Sequence, residues 1–407
     1  MQFALTEEQE LMQHSVTQLA ERHLPMSAVR QVLDAPDARS PYLWTALATE
    51  GYLGTLVPEE HGGAGLGCVE MACVLEPLGA ALAPGPHLTS AVAAVTLLRQ
   101  AGRPRQRADL LPRLAAGGTV ISVAFNGAHG SIPVGVSAER QGSTWRLEGT
   151  QPFVAYGASA DWLIVPAIPH GSSTPRFFLL QTGTPGLTAF ALPMLDLTRR
   201  WTNLQLKGVS VPAEAELPCD NGSAVLERLG LVCAVMVAAE MLGGASRVLQ
   251  MATTYARTRE QFDRPIGSFQ AIKHLLADML VALEGARSAV YAAAWSLDAD
   301  PARAPVDAAI AKAVATETYL VLAEQNIQIH GGIGFTWELD AHLYLRRAQA
   351  DRLSYGTPEA YYEFLAADLD ALGCGGRVGD ESRHGGACRG ATPRNALAER
   401  REIGEQP

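Results

Sequence analysis

The stretch "RTREQFDRPIGSFQAIKH", Arg257 to His274, decides how the rest of the chain is read. It gathers Arg257, Arg259 and Arg264, the glutamines Gln261 and Gln270, the aromatics Phe262 and Phe269, and then Pro265 and Gly267, before entering a long apolar-periodic segment. A helix ending near Tyr255 leaves Arg257, Arg259 and Gln261 in a turn held by Pro265 and Gly267, with Ser268 placed to cap the next helix. Such a turn sets guanidinium forks beside backbone donors, which suits a pyrophosphate. The same residues also fit a plain helical hairpin with solvated arginines. Beyond the turn, Phe269, Ile272, Leu276, Met279, Leu280 and Leu283 recur at helical spacing, which predicts one buried face.

Working outward, the helical period extends from Val225 to about Leu369, and its alanine-rich segments predict close packing in a bundle. Upstream, from about residue 118 to 220, the pattern changes. "TVISVAF", "DWLIVPAI", "RFFLLQT" and "NLQLKGVSV" are short, rich in β-branched and aromatic residues, and separated by Gly, Pro and Ser clusters, which predicts an antiparallel barrel or sandwich. Residues 1–115 read as helices again. Thr6 and Gln9 form a capping-box pattern, and Leu11, Val16 and Leu19 mark an apolar stripe. The expected architecture is α+β: a helical domain over 1–115, a β-domain over 116–221, a helical bundle over 222–370, and a disordered tail over 371–407, where His384 and Cys388 are too few to make a metal site.

Composition narrows the function. The chain has 407 residues and a net charge of −10, with only 32 basic residues spread thinly, so the basic footprint of a nucleic-acid binder is missing. No long uncharged apolar run points to a membrane span, and the N-terminus lacks a basic and apolar leader pattern; a cytoplasmic location is expected. Six cysteines without a CxxC pair argue for reduced, structural thiols and against a metal centre.

A second segment, "NIQIHGGIGFTWELDAHLYLRRA", Asn326 to Ala348, places Gly331, Gly332 and Gly334 after a helix, where the backbone can turn left-handed or approach a ligand closely. His330 beside them fits either a ligand contact or a structural place at a helix C-terminus. Taken in order, "VPEEHGGAGLG", "YARTREQFDRPIGSFQAIKHLLADM" and "QIHGGIGFTWELDAHLYLRRA" closely resemble the acyl-CoA dehydrogenase family, over roughly residues 3–370. The resemblance implies an α-helical domain, a central β-barrel domain and a C-terminal four-helix bundle. It also implies an FAD enzyme that desaturates an acyl thioester, a carboxylate taking the α-proton while the flavin takes the β-hydride.

By that resemblance Arg259, Gln261 and Phe262 match the clamp that holds the ADP and pyrophosphate part of a neighbouring subunit's FAD. Gln328 with Gly331 and Gly332 matches the second half of that clamp, and Thr357 in "YGT" would touch the ADP end of an FAD. The parts that hold the flavin ring are eroded. In "FNGAHGSI" Phe125 replaces a threonine and only Ser131 keeps its place; in "FVAYG" Phe153 can still stack on a flavin, but Ala155 has no donor. The base is missing: Tyr355 stands at the usual glutamate position and Cys233 at the alternative one. Glu227 and Glu240, on the earlier helix, lie six or seven residues out of register.

The resemblance therefore implies a subunit of a heteromeric acyl-CoA dehydrogenase that lends its ADP clamp to a base-bearing partner. FAD would be the cofactor, an acyl-CoA or acyl-carrier-protein thioester the substrate, and an electron-transfer flavoprotein the acceptor. A homo-oligomeric flavoenzyme with diverted chemistry and a non-catalytic scaffold are the alternatives.

Overall fold

The computed structural model describes residues 4–127 and 134–371, so the expected tail and Ser131 lie outside the described residues. Helix α1, Glu7–His23, starts at Thr6, whose hydroxyl accepts from Gln9 N while the Gln9 side chain accepts from Thr6 N, as the sequence predicted. Val16 and Ala20 are buried on its inner face, but Leu11 is 61% exposed, so the expected stripe is shorter than its spacing suggested. Helices α2 (Met26–Gln31), α3 (Pro41–Thr49) and α4 (Cys68–Ala80) follow. A π-helical segment, His87–Ala94, then leads into α5 (Val95–Ala101), and α6 (Pro104–Ala115) completes this part.

Among the described residues eight strands make the centre: β1 (Ile121–Val123), β2 (Val136–Gln141), β3 (Thr144–Ala155), β4 (Trp162–Pro169), β5 (Arg176–Gln181), β6 (Leu187–Ala191), β7 (Trp201–Pro212) and β8 (Glu216–Leu217). Their order is β6-β7-β3-β2-β4-β5-β8, with β1 beside β4. The expected antiparallel barrel is corrected on two points. The β1–β4 and β2–β4 pairs are parallel, and β6 and β8 stay at opposite ends, so the sheet is mixed and open. The local strand pattern was readable; the pairing of strands far apart in sequence is a tertiary choice that period-2 spacing does not carry.

The last part holds α7 (Gly222–Thr258), α8 (Gln270–Ala299), α9 (Ala304–His330), α10 (Ala341–Asp351) and α11 (Pro358–Ala371). By length and composition α7 could cross a membrane, but 89% of its apolar window is buried inside the protein, so it is the central core helix. Helix α4 lies directly on it through two reciprocal glycines. A Cβ on Gly79 would sit 1.9 Å from the Glu240 carbonyl oxygen, and one on Gly243 would sit 1.7 Å from that of Glu76. On α8, Met279 and Leu283 are buried as predicted, whereas Leu280 is half exposed. One continuous apolar core runs from the first helices through the sheet into the bundle.

The segment between α7 and α8 differs from the expected turn. Helix α7 continues past Tyr255 to Thr258, and a two-residue hairpin follows, β9 (Glu260–Gln261) against β10 (Arg264–Pro265). Phe262 and Asp263 form its tip with φ of 55° and 61°, a left-handed pair characteristic of tight hairpins. Ser268 does not cap α8; it ends a short 3-10 turn, and Phe269 takes the cap position without a side-chain bond.

Candidate functional site

Tyr355 and Cys233, the two positions at which the resemblance would place a base, come together. Tyr355, in the loop between α10 and α11, and Cys233, on α7, are both buried, and the Tyr355 hydroxyl donates to the Cys233 sulfur. Burial first, and then the Cys233 neighbour, push the Tyr355 phenol well above its ordinary range. Burial likewise pushes the Cys233 thiol far up, only partly offset by the tyrosine's hydrogen bond. Both groups stay protonated at neutral pH, and neither can accept an α-proton.

Around Tyr355 the space is nearly full. The cavity lined by Gly85, Thr89, Tyr156, Arg199, Trp201 and Glu240 together with Tyr355 measures about 20 Å³, room for one water and not for an acyl chain or a flavin ring. Phe125 contributes to this filling: it is buried, with its ring 6.4 Å from that of Tyr355. Ala155 lines part of the wall, and its carbonyl accepts from Ser122 Oγ at 2.5 Å. Phe153 is not part of this lining. It sits half exposed at a bulge in β3, with φ of 54°, its N–H donating to Asn203 Oδ1 at 3.3 Å.

Sequence reasoning set Glu240 aside, yet it faces the cavity. Seven residues are two helical turns, so Glu240 shares a face of α7 with Cys233, a signal the register argument overlooked. It is not free to act as a base, because Arg199 bonds it directly. Arg199 also contacts Asp351 Oδ1 at 2.8 Å, off the hydrogen-bonding direction. Next to this pair, Arg347 Nε donates to Asp196 Oδ2 at 2.7 Å and to Thr198 Oγ1 at 3.1 Å. Burial works against the Arg199 charge, but Asp351 and Glu240 outweigh it and raise its pKa. Burial pushes the Asp351 carboxyl up to about 6, with Arg199 and Arg347 holding it from rising further. These five buried charged side chains come from three parts of the chain and close the space between sheet and bundle.

The residues expected to form the clamp lie elsewhere, at the surface. Phe262 is 84% exposed at the hairpin tip, edge-on to Phe269 at 6.1 Å, and the Arg264 guanidinium stacks over Phe269 at 4.1 Å. Arg259 and Gln261 flank it, also exposed. The second segment is brought alongside by a stack of Tyr255 on His330, centroids 4.2 Å apart, with His330 Nδ1 bonded to the Asn326 carbonyl at 2.8 Å. His330 is thus structural: it joins the end of α7 to the end of α9. Gln328 is exposed on that end, Gly331 turns with φ of 65°, and a Cβ on Gly331 or Gly332 would meet nothing within 4 Å. This open cationic and glycine-edged surface fits the ADP and pyrophosphate end of FAD; the closed space at Tyr355 does not fit the ring end. Thr357 is the cap of α11, its Oγ1 accepting from Ala360 N at 3.4 Å.

Comparisons with known proteins bear on the family and the fold. The acyl-CoA dehydrogenase N-terminal domain matches residues 6–118, and the acyl-CoA dehydrogenase C-terminal domain matches residues 223–369. The chain is similar to the acyl-CoA dehydrogenase IpdE2 of Mycolicibacterium smegmatis, 33% identical over 366 residues, covering 90% of this chain and 100% of that protein. Among solved structures it is similar to a chain of the ChsE4-ChsE5 complex from Mycobacterium tuberculosis, with a TM-score of 0.84 and 32% identity over 91% of this chain and 99% of that one. It is also similar to a chain of a variant of the Tcur3481-Tcur3483 steroid ACAD, with a TM-score of 0.80 and 31% identity over 91% and 99% of the two chains.

Proposed function

The chain belongs to the acyl-CoA dehydrogenase family, whose members are FAD-using oxidoreductases acting on CH–CH bonds, and we propose that it works there as the base-less subunit of a heteromer. The observation that carries this reading is the contact between Tyr355 and Cys233. Both positions from which a family base would act hold protonated groups bonded to each other, beside a cavity of about 20 Å³.

What this chain contributes is binding and orientation. Arg259 would offer a planar fork to the pyrophosphate, Phe262 an apolar face, and the Gly331–Gly332 edge an uncrowded backbone approach. FAD, when bound, supplies the acceptor for the hydride; the base and the ring contacts would come from a partner that keeps its carboxylate. Exposed Phe262 and Phe335, one on each clamp segment, support a partner surface at this face, since large apolar side chains left in water mark contact sites. An acyl-CoA or acyl-carrier-protein thioester is the substrate of this reading, an electron-transfer flavoprotein the acceptor, and the cytoplasm the location. The likeness to structures described as a two-protein complex and as a steroid enzyme supports testing steroid-type acyl thioesters first.

The test is co-expression with a base-bearing acyl-CoA dehydrogenase chain. The expected result is a stable mixed complex that desaturates acyl-CoA, while this chain alone shows no turnover. Desaturation by the lone chain at rates typical of the family contradicts the proposal.

A further inference from the structure

The loop that carries Tyr355 and Thr357 is held from below by a single buried lysine. Lys312, on α9, has no exposed surface, and its Nζ donates to Thr316 Oγ1 at 3.1 Å, to the Asp351 carbonyl at 3.2 Å and to the Gly356 carbonyl at 3.1 Å. When protonated, its ammonium has three donors, one for each acceptor; burial pulls the Lys312 pKa down to about 7, with the Asp351 charge holding it from falling further. Two of the acceptors are the backbone at the start of the loop and near its end, so one side chain ties both ends together.

That loop needs tying. Tyr355 has φ of 54° and Gly356 of 104°, and a bulky residue in the left-handed region is strained, so the surroundings must hold it in place. Asn126 Oδ1 accepts from Tyr355 N at 2.8 Å, and the Tyr361 hydroxyl donates to the Tyr355 carbonyl. Those two bonds fix the middle of the loop; Lys312 reaches across it from the buried side, while the Arg352–Glu359 ion pair spans it at the surface. Thr357 is the next residue and the cap of α11, so the direction of its hydroxyl follows from where Gly356 is held.

We propose that Lys312 is a positioning residue for the cofactor clamp: by bonding the Asp351 and Gly356 carbonyls together it aims Thr357 at the ADP end of the FAD. The proposal rests on the clamp reading above. Lys312 lies on α9, which carries Gln328 in its last turn and ends at His330, so the pin beneath the loop and the second clamp segment share one rigid element.

Two measurements test it. In the chain alone, Lys312→Met should speed amide hydrogen exchange over residues 352–357 by about tenfold or more while α9 and the sheet keep their protection. Unchanged exchange there, or acceleration spread over the whole bundle, overturns the pin. In the complex with a base-bearing partner, Lys312→Met should weaken FAD binding by about tenfold, and adding Thr357→Val should cause no further loss, because the two residues act through one contact. Losses that add, or unchanged FAD binding, overturn the positioning role. Should the methionine variant not fold, Lys312→Gln, which keeps two donors, serves both arms with smaller expected effects of the same sign. If the unmutated complex holds no FAD, the subunit reading fails, and the exchange measurement still decides whether Lys312 holds the loop.

Discussion

The Tyr355 hydroxyl is hydrogen-bonded to the Cys233 sulfur, so the two positions expected from the resemblance to carry a base are locked to each other in the core. In the proposed reading, the missing base is tied to packing as well as chemistry. Restoring a carboxylate at one position would not reopen the space around it.

Tyr355→Glu is accordingly expected to give no dehydrogenase in the lone chain. The new carboxylate would be buried beside Glu240 and compete with it for Arg199, at a cost of roughly 1–3 kcal/mol. Turnover with acyl-CoA at background level, with a lowered denaturation midpoint, is the expected result. A large gain of turnover would show that only the base had been missing.

The buried ion pairs make a stability prediction. Arg347→Met leaves Asp196 buried without its cation and should cost about 3–5 kcal/mol in urea unfolding. Replacing both, Arg347→Met with Asp196→Leu, should recover much of that loss, because a paired charge is weak net stabilisation whereas an orphaned one is costly.

Acid sensitivity should trace to His87. Burial brings its pKa down to about 3 from 6.5, with Arg199 and Arg347 adding to the shift. The unfolded chain then binds a proton that the folded chain refuses between those values, so stability falls as pH drops from 6.5 towards 3. Asp351 has the opposite sign, since its raised pKa lets the folded chain hold a proton between 3.8 and about 6. Comparing the melting temperature against pH for the protein and for His87→Leu isolates the histidine. The variant should lose less stability on acidification, and an identical slope would contradict the assignment.

At the clamp the expectation is reversed. Arg259→Ala and Phe262→Ala alter exposed side chains, so the free chain's stability should change by no more than about 0.5 kcal/mol. FAD retained by the mixed complex after gel filtration should fall sharply in both. Loss of folding without loss of FAD would place these residues in the wrong role.

Much of this was readable from sequence because it is local. Thr6 and Gln9 announced a helix start, and the arginine-rich turn and the Gly331–Gly332 pair announced surfaces with unusual backbone and charge. The network at Arg199 was not readable. Its partners Glu240 and Asp351 lie far along the chain, and nothing in "LDLTRRWTN" says which arginine is buried. The hairpin tip was missed because Phe262 and Asp263 adopt left-handed angles without a glycine to signal them. Glu240 was discounted on register, although its spacing from Cys233 puts both on one helical face.

The central claim is that this chain carries an ADP clamp but no flavin site of its own, and counting flavin by absorbance tests it most directly. The chain purified alone should be colourless or nearly so, and its complex with a base-bearing partner yellow, with about one FAD for each pair of unlike chains. A lone chain that retains one FAD per polypeptide would contradict the account.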